Sequence, residues 1–154
     1  MPSDEQAIRN LLFSYAERID RGDITGMARL FEHAAYRAGD QPPITDWRDV
    51  ERLNKSLVLL YEDGTPKTQH VTTNVLIELE PGGHAASARS RFTVLQGLPG
   101  AALQVIVAGR YHDRFERVDG AWRFSARHIF MDLIGDLSRH LRLDKLVEVQ
   151  RPTA

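Results

Sequence analysis

Three residues of this 154-residue chain have the types and surroundings for proton-transfer chemistry: Tyr15, Asp20 and His70. His70 lies in Thr68-Gln69-His70-Val71-Thr72-Thr73-Asn74-Val75-Leu76-Ile77, a run dense in β-branched residues and preceded by the turn cluster Glu62-Asp63-Gly64-Thr65-Pro66. That pattern is a strand signal. Alternation puts Val71, Thr73, Val75, Ile77 and Leu79 on one face, and Thr68, His70, Thr72 and Asn74 on the other. Asp20 closes a helical stretch one residue beyond Ile19, and Tyr15 sits on the apolar stripe of that stretch. A carboxylate at a helix C-terminus meets the negative end of the macrodipole, so a hydrogen-bond donor stabilises it. An imidazole N–H would serve. The carboxylate would then fix the tautomer and stabilise the imidazolium formed when the other ring nitrogen takes a proton. Tyr15 would be a phenol in the same cleft, able to polarise or protonate a substrate oxygen. The alternative is a core Tyr15, a solvated Asp20 and a surface His70, and spacing alone does not choose between the two.

Other chemistries find no support. The chain has no cysteine, which excludes a disulfide scaffold, a thiol nucleophile and a zinc-thiolate site. His33, His84, His128 and His140 have no metal-ligand spacing, and Gly82-Gly83 is a turn rather than a phosphate loop. No metal and no cofactor are therefore expected. A net charge of −1 argues against nucleic acid and anionic membranes. Met1-Pro2-Ser3-Asp4-Glu5-Gln6 lacks the basic and apolar regions of a signal peptide. No window approaches the roughly 20 apolar residues that span a bilayer. A cytoplasmic location is expected.

The elements that would position these residues follow from periodicity. Ser3 or Asp4 caps a helix whose buried stripe is Ile8, Leu11, Leu12, Tyr15, Ala16 and Ile19, ending near Asp20-Arg21-Gly22-Asp23. A short helix follows on Met27, Leu30 and Phe31, then a short strand from Ala34 to Ala38. Thr45 or Asp46 caps a third helix, about 46–61, with Trp47, Val50, Leu53, Leu57 and Leu60 inward. From residue 67 the pattern turns to strands: about 67–79, 84–96, 103–118 and 122–133, with Asp119-Gly120 as the strongest hairpin signal. Helices followed by an antiparallel meander predict an α+β domain over 1–135, helices covering one face of a curved sheet. Residues 136–154 read as a polar tail carrying Arg139, Arg142 and Arg151, docked loosely or frayed.

The runs Ile8 to Asp20, Gln69-His70-Val71-Thr72-Thr73-Asn74, and Gly109-Arg110-Tyr111-His112-Asp113 through Asp119-Gly120-Ala121-Trp122-Arg123-Phe124 resemble the SnoaL-like superfamily. The resemblance covers about residues 4–135 and implies the cone-shaped fold of nuclear transport factor 2, scytalone dehydratase and ketosteroid isomerase. Within it the pattern is similar to lindane dehydrochlorinase and bile-acid 7α-dehydratase. By that likeness Asp20, His70 and Tyr15 take catalytic positions, and Arg127 is the match for an arginine on the last strand. Closing the Asp119-Gly120 hairpin as a two-residue turn sets Arg127 opposite His112, on a face with Arg110, Arg114 and Arg123. That is the solvent side by polarity, unless a bulge shifts the parity. His112 is then a possible pocket residue. Trp47, Phe31, Leu57 and Phe130 are core residues by default, and a cone fold would bring some of them to its cavity. Asn74, on the His70 face, joins the candidate substrate contacts.

The expected activity is that of a cofactor-independent lyase, of dehydratase or dehydrohalogenase type, or of an isomerase acting on a small hydrophobic molecule. His70, oriented by Asp20, would take the proton, and Tyr15 or Arg127 would assist the leaving group or stabilise an enolate. The competing expectation is a non-catalytic ligand-binding module or a structural subunit of the ring-hydroxylating dioxygenase kind. Apolar residues on both faces of the third strand (Val105 and Val107, Ile106 and Ala108) predict a homodimer or homotrimer through the outer sheet face.

Overall fold

The computed structural model of the chain describes residues 1–150, so Arg151 of the expected tail lies outside the described residues. Helix α1 spans Asp4–Asp20, with the Ser3 hydroxyl accepting from the Gln6 N–H at 3.2 Å. It buries Ile8, Leu12, Tyr15, Ala16 and Ile19. Its end is sharply fixed. The Gly22 N–H donates to the Ile19 carbonyl and the Asp23 N–H to the Arg18 carbonyl, each at 2.8 Å, which is the bonding of a Schellman stop. Gly22 has φ +79°, and a Cβ there would lie 1.9 Å from the Gly64 carbonyl oxygen. Only glycine fits this turn, and the turn sets where Asp20 points. Helix α2 covers Ile24–Arg29, strand β1 Ala35–Ala38, and helix α3 Trp47–Leu57.

Strands β2 (Thr68–Leu79), β3 (Ala85–Gln96), β4 (Gln104–Val118) and β5 (Ala121–Ile134) form the antiparallel meander. Strand β1 adds to it in parallel beside β5, giving an open five-stranded mixed sheet of order β1-β5-β4-β3-β2. Asp119 and Gly120 have φ of +51° and +82°, as a two-residue primed turn requires. The helices pack on one face over Phe31, Phe115, Phe124, Met27 and Ile106, all at most 1% exposed. The α+β expectation and its element order therefore stand.

Bulges break the strict alternation read from sequence. In β2 the register shifts between Thr73 and Leu76, and Asn74 takes φ +53°. Before the shift Thr68, His70 and Thr72 are partly covered together with Val71, whereas after it Val75 and Ile77 are, with Leu76 left 57% exposed. One strand thus turns a polar half toward the cavity and an apolar half toward the helices. In β4 and β5 a shift between Arg114 and Phe115 sets Arg127 opposite Asp113, and His112 opposite His128.

The segment after β5, expected as a loose tail, is tied to the body. The Leu59 N–H donates to the His140 carbonyl and the Arg142 N–H to the Leu57 carbonyl, both at 2.8 Å. The Arg142 guanidinium donates to the Ser56 and Val58 carbonyls at 3.1 and 3.2 Å, where a cation favours the end of α3. Helix α4 covers Leu143–Gln150. Among the described residues no helix is long and apolar enough to cross a membrane.

Candidate functional site

The end of α1 and the start of β2 meet at a carboxylate surrounded by donors. Asp20 Oδ1 lies 2.6 Å from His70 Nδ1 and accepts from the Thr68 hydroxyl at 2.9 Å, while Oδ2 accepts from the His70 backbone N–H at 2.8 Å. The backbone and hydroxyl donors hold the carboxylate in place independently of the ring. With Asp20 on Nδ1, the proton sits on that nitrogen, and Nε2 keeps a lone pair facing the cavity. The His70 side chain is 8% exposed.

A second polar group comes from α1, β1 and α3. The Tyr15 and Tyr36 phenols meet here, with the Asn54 side chain beside Tyr36. The Asn54 amide donates to the Val50 carbonyl at 2.9 Å. Burial holds the Tyr15 phenol well above its ordinary value, with Tyr36 and Tyr111 adding to the rise and Arg127 opposing it. Burial likewise raises Tyr36. Both phenols are therefore neutral donors at physiological pH.

Behind these rings lies a sealed ion pair. Arg127 Nε and Nη2 donate to Asp113 at 2.8 and 2.9 Å, and both side chains are wholly buried. The guanidinium stacks 3.7 Å from the Tyr111 ring and 4.3 Å from that of Tyr15. Burial penalises its charge, and Asp113 more than offsets that penalty.

His70, Tyr15, Tyr36 and Asn54 open on one cavity of about 430 Å³. Its apolar wall comes from Ile19, Leu53, Leu57, Val94, Val107, Ile129 and Met131, closed by Leu137, His140, Leu141 and Leu146 from the C-terminal segment. That is the size and lining of a small-molecule site.

Of the residues singled out from sequence, His70, Tyr15 and Leu57 border the cavity, and Asp20 stands directly behind His70. Arg127 does not border it: the bulge turns it inward, away from Arg110 and Arg114, but onto the back of the tyrosines. Phe31 is pushed one layer back, edge-on to Tyr15 with centroids 5.9 Å apart. Trp47, at the start of α3, lies between Arg29 and Arg48, outside the cavity. Asn74 is exposed because the bulge carries it out of the His70 face. His112 and Phe130 pack together on the outer sheet face, their rings 5.0 Å apart, beside His128. Bulges account for Arg127, Phe130 and Asn74; His112 keeps the outward face that alternation along β4 gives it, and Phe31 and Trp47 lie outside the sheet.

Three cavity residues escaped the sequence reading, each with a usable signal. Tyr36 is the one aromatic of the short β1 run. Asn54 is a polar residue four positions after Val50, on an apolar stripe. His140 lies between Leu137 and Leu141 at helical i, i+3, i+4 spacing, inside a stretch dismissed for its polarity.

The description of a SnoaL-like domain matches residues 2–128 of the chain. No curated protein matches it by sequence. Among solved structures, a candidate scytalone dehydratase from Novosphingobium aromaticivorans is similar at 21% identity and TM-score 0.68, covering 86% of this chain and 87% of its own. A protein from the same organism described as NTF2-like with a cystatin-like fold gives 19% identity and TM-score 0.69 over 88% and 86%. A hexachlorocyclohexane dehydrochlorinase, LinA-type3 from Novosphingobium barchaimii, gives 18% and 0.66 over 86% and 88%. At these identities the likeness carries the fold.

Proposed function

The chain belongs to the SnoaL-like family, and from that premise we propose that it is a cofactor-independent lyase or isomerase acting on a small, largely apolar molecule. His70 Nε2 is the general base. It removes a proton from carbon next to an activating group, and Asp20 stabilises the imidazolium that results. The Tyr36 hydroxyl, supported by Tyr15 and Asn54, hydrogen-bonds or protonates the departing group. Arg127 acts through the rings, its charge favouring negative charge on the phenols in front of it. Neighbours named as a dehydratase and a dehydrochlorinase support elimination as the reaction class.

The observation that carries this reading is the Asp20 carboxylate, held by the Thr68 hydroxyl and the His70 N–H and aimed at His70 Nδ1 beside an apolar cavity. A ligand-binding module or structural subunit has no need of an oriented base there. The test is exchange in D2O. Small cyclic and aromatic ketones, with their β-hydroxy and β-halo derivatives, should lose their α-proton NMR signals in the presence of the protein. His70→Ala should slow that loss by roughly 10²–10⁴-fold while ligand binding persists, because a base acts on the transition state. Exchange at the wild-type rate in His70→Ala would remove His70 from the mechanism.

A further inference from the structure

Resting on that reading and refining it, the second histidine of the cavity defines what a substrate must present. His140 is 5% exposed, lies in the cavity wall, and stands edge-on to His70 with ring centroids 6.1 Å apart. Its Nδ1 is sealed inside the protein with no hydrogen-bond partner. Among the described residues no side chain or carbonyl engages Nε2, which is the polar atom His140 has for the cavity. A neutral imidazole carries one ring proton. On the sealed Nδ1 it would be a buried donor without an acceptor, a rarer and costlier state than an unmet lone pair. The proton therefore belongs on Nε2. His70 is the reverse, with its proton on Nδ1 toward Asp20 and its lone pair on Nε2.

We propose that His140 is a catalytic hydrogen-bond donor, and that the His70–His140 pair, held in opposite tautomers, selects substrates in which an acidic C–H stands beside a carbonyl oxygen. His70 Nε2 takes the α-proton, the C–H electron pair becomes the C=C bond of an enolate, and the carbonyl oxygen carries the charge. That oxygen accepts from His140 Nε2–H, which donates most strongly as the charge develops. The enolate then expels a β-hydroxyl with the proton of Tyr36, expels a β-halide as the anion, or takes its proton back at another carbon. Burial first, then the nearness of His70, holds His140 down to about 4, against a smaller opposing pull from Asp20. His140 is thus a neutral donor across the physiological range, and its charge never competes with the imidazolium forming on His70.

Two measurements on the full chain test this. Long-range ¹⁵N–¹H NMR of the imidazoles at pH 7 should find His140 protonated on Nε2 and His70 on Nδ1. A His140 proton on Nδ1 would overturn the proposal without any substitution. The second uses 2-tetralone, following α-proton exchange in D2O and the infrared carbonyl stretch of the bound ketone. His140→Phe should lower the exchange kcat by roughly 10²–10³-fold and return the stretch toward its solution value. His140→Gln, which restores an N–H, should recover part of both. His70→Ala should slow exchange by roughly 10²–10⁴-fold and leave the stretch where the wild-type protein puts it. Wild-type exchange in His140→Phe, or binding of tetralin but not 2-tetralone, would overturn the donor role. Wild-type exchange in His70→Ala would instead strike the base and leave the donor standing.

Discussion

Asp113→Leu is expected to destabilise the fold by about 3–5 kcal/mol. Asp113 and Arg127 are both fully buried and joined by two hydrogen bonds of 2.8 and 2.9 Å. Arg127 Nη1 already has no partner. In the variant the guanidinium keeps its proton, because an arginine does not deprotonate in a protein. It loses both acceptors and its counter-charge while its side chain is wholly buried. The remaining stabilisation is the stacking on Tyr111 and Tyr15 at 3.7 and 4.3 Å, on the order of 2 kcal/mol for a desolvated contact. Against a typical total of about 5–15 kcal/mol for a domain, the loss is large. Urea unfolding followed by far-UV circular dichroism and by the fluorescence of Trp47 and Trp122 measures it as a lower midpoint at unchanged slope. The double variant Asp113→Leu/Arg127→Met removes both charges and should recover most of the loss, since it leaves neither charge unpaired. A single variant costing less than about 1 kcal/mol, or a double variant no better than the single one, would mean that the pair is hydrated rather than sealed. The account of Arg127 as a charge set behind the tyrosines would then fail.

Asp20→Asn should keep the ketones bound and lower exchange by roughly 10²–10⁴-fold, because an amide neither fixes the His70 tautomer nor stabilises its cation. Equal rates would show that Asp20 is structural. His140 also predicts an acid sensitivity, set by His70 and Asp20 beside it and by Tyr15, Tyr36 and Asp40 around the same cavity. Its folded value of about 4 lies below the roughly 6.5 of an unfolded chain. Between those values the unfolded state binds more protons, so stability falls as pH falls, by up to about 3 kcal/mol. The difference between wild type and His140→Phe in denaturant midpoint from pH 7 to 4 isolates this contribution, and a pH-independent difference would refute it. Finally, Leu103, Val105, Leu133 and Ile134 are 58–70% exposed near one end of the β4–β5 pair, an apolar area that predicts self-association. Sedimentation at micromolar concentration should give a dimer or trimer, and a 17.4 kDa monomer would refute it.

The fold was legible because most of its signals are local. The Ser3 cap, the stripe from Ile8 to Ile19, the Gly22 stop and the Asp119-Gly120 turn are each written within a few adjacent residues. The meander boundaries fall within a residue or so of the apolar runs that predict them. Faces were less legible. A bulge inserts one residue into a pairing, and the sequence around Ser125 or Asn74 marks no such insertion, so every side chain beyond it changes side. One such slip, between β4 and β5, moved Arg127 from the solvent face into the core, and a second, in β2, moved Asn74 out of the site. Polarity pointed the wrong way for Arg127, because a buried arginine is tolerated only where a carboxylate sits opposite it. The carboxylate, Asp113, is opposite only once the bulge is counted.

The site divides along the same line. Asp20 and His70 were legible because a helix-terminal carboxylate calls for a donor, and here it has three: the Thr68 hydroxyl, the His70 N–H and the His70 ring. His140 was not, because nothing local distinguishes it from a tail histidine. What buries it is non-local: the Leu59 N–H reaching its carbonyl, Arg142 holding the end of α3, and Leu137 and Leu141 closing over the cavity. These contacts desolvate the ring, and desolvation is what makes a histidine a neutral donor rather than a cation. His70 and His140 are therefore the same residue type put to opposite uses by their partners. One is fixed by a carboxylate at Nδ1; the other is fixed by having no partner there. Such a division of roles has no counterpart in spacing or composition, and it emerges only where the segment after β5 folds back against the end of α3.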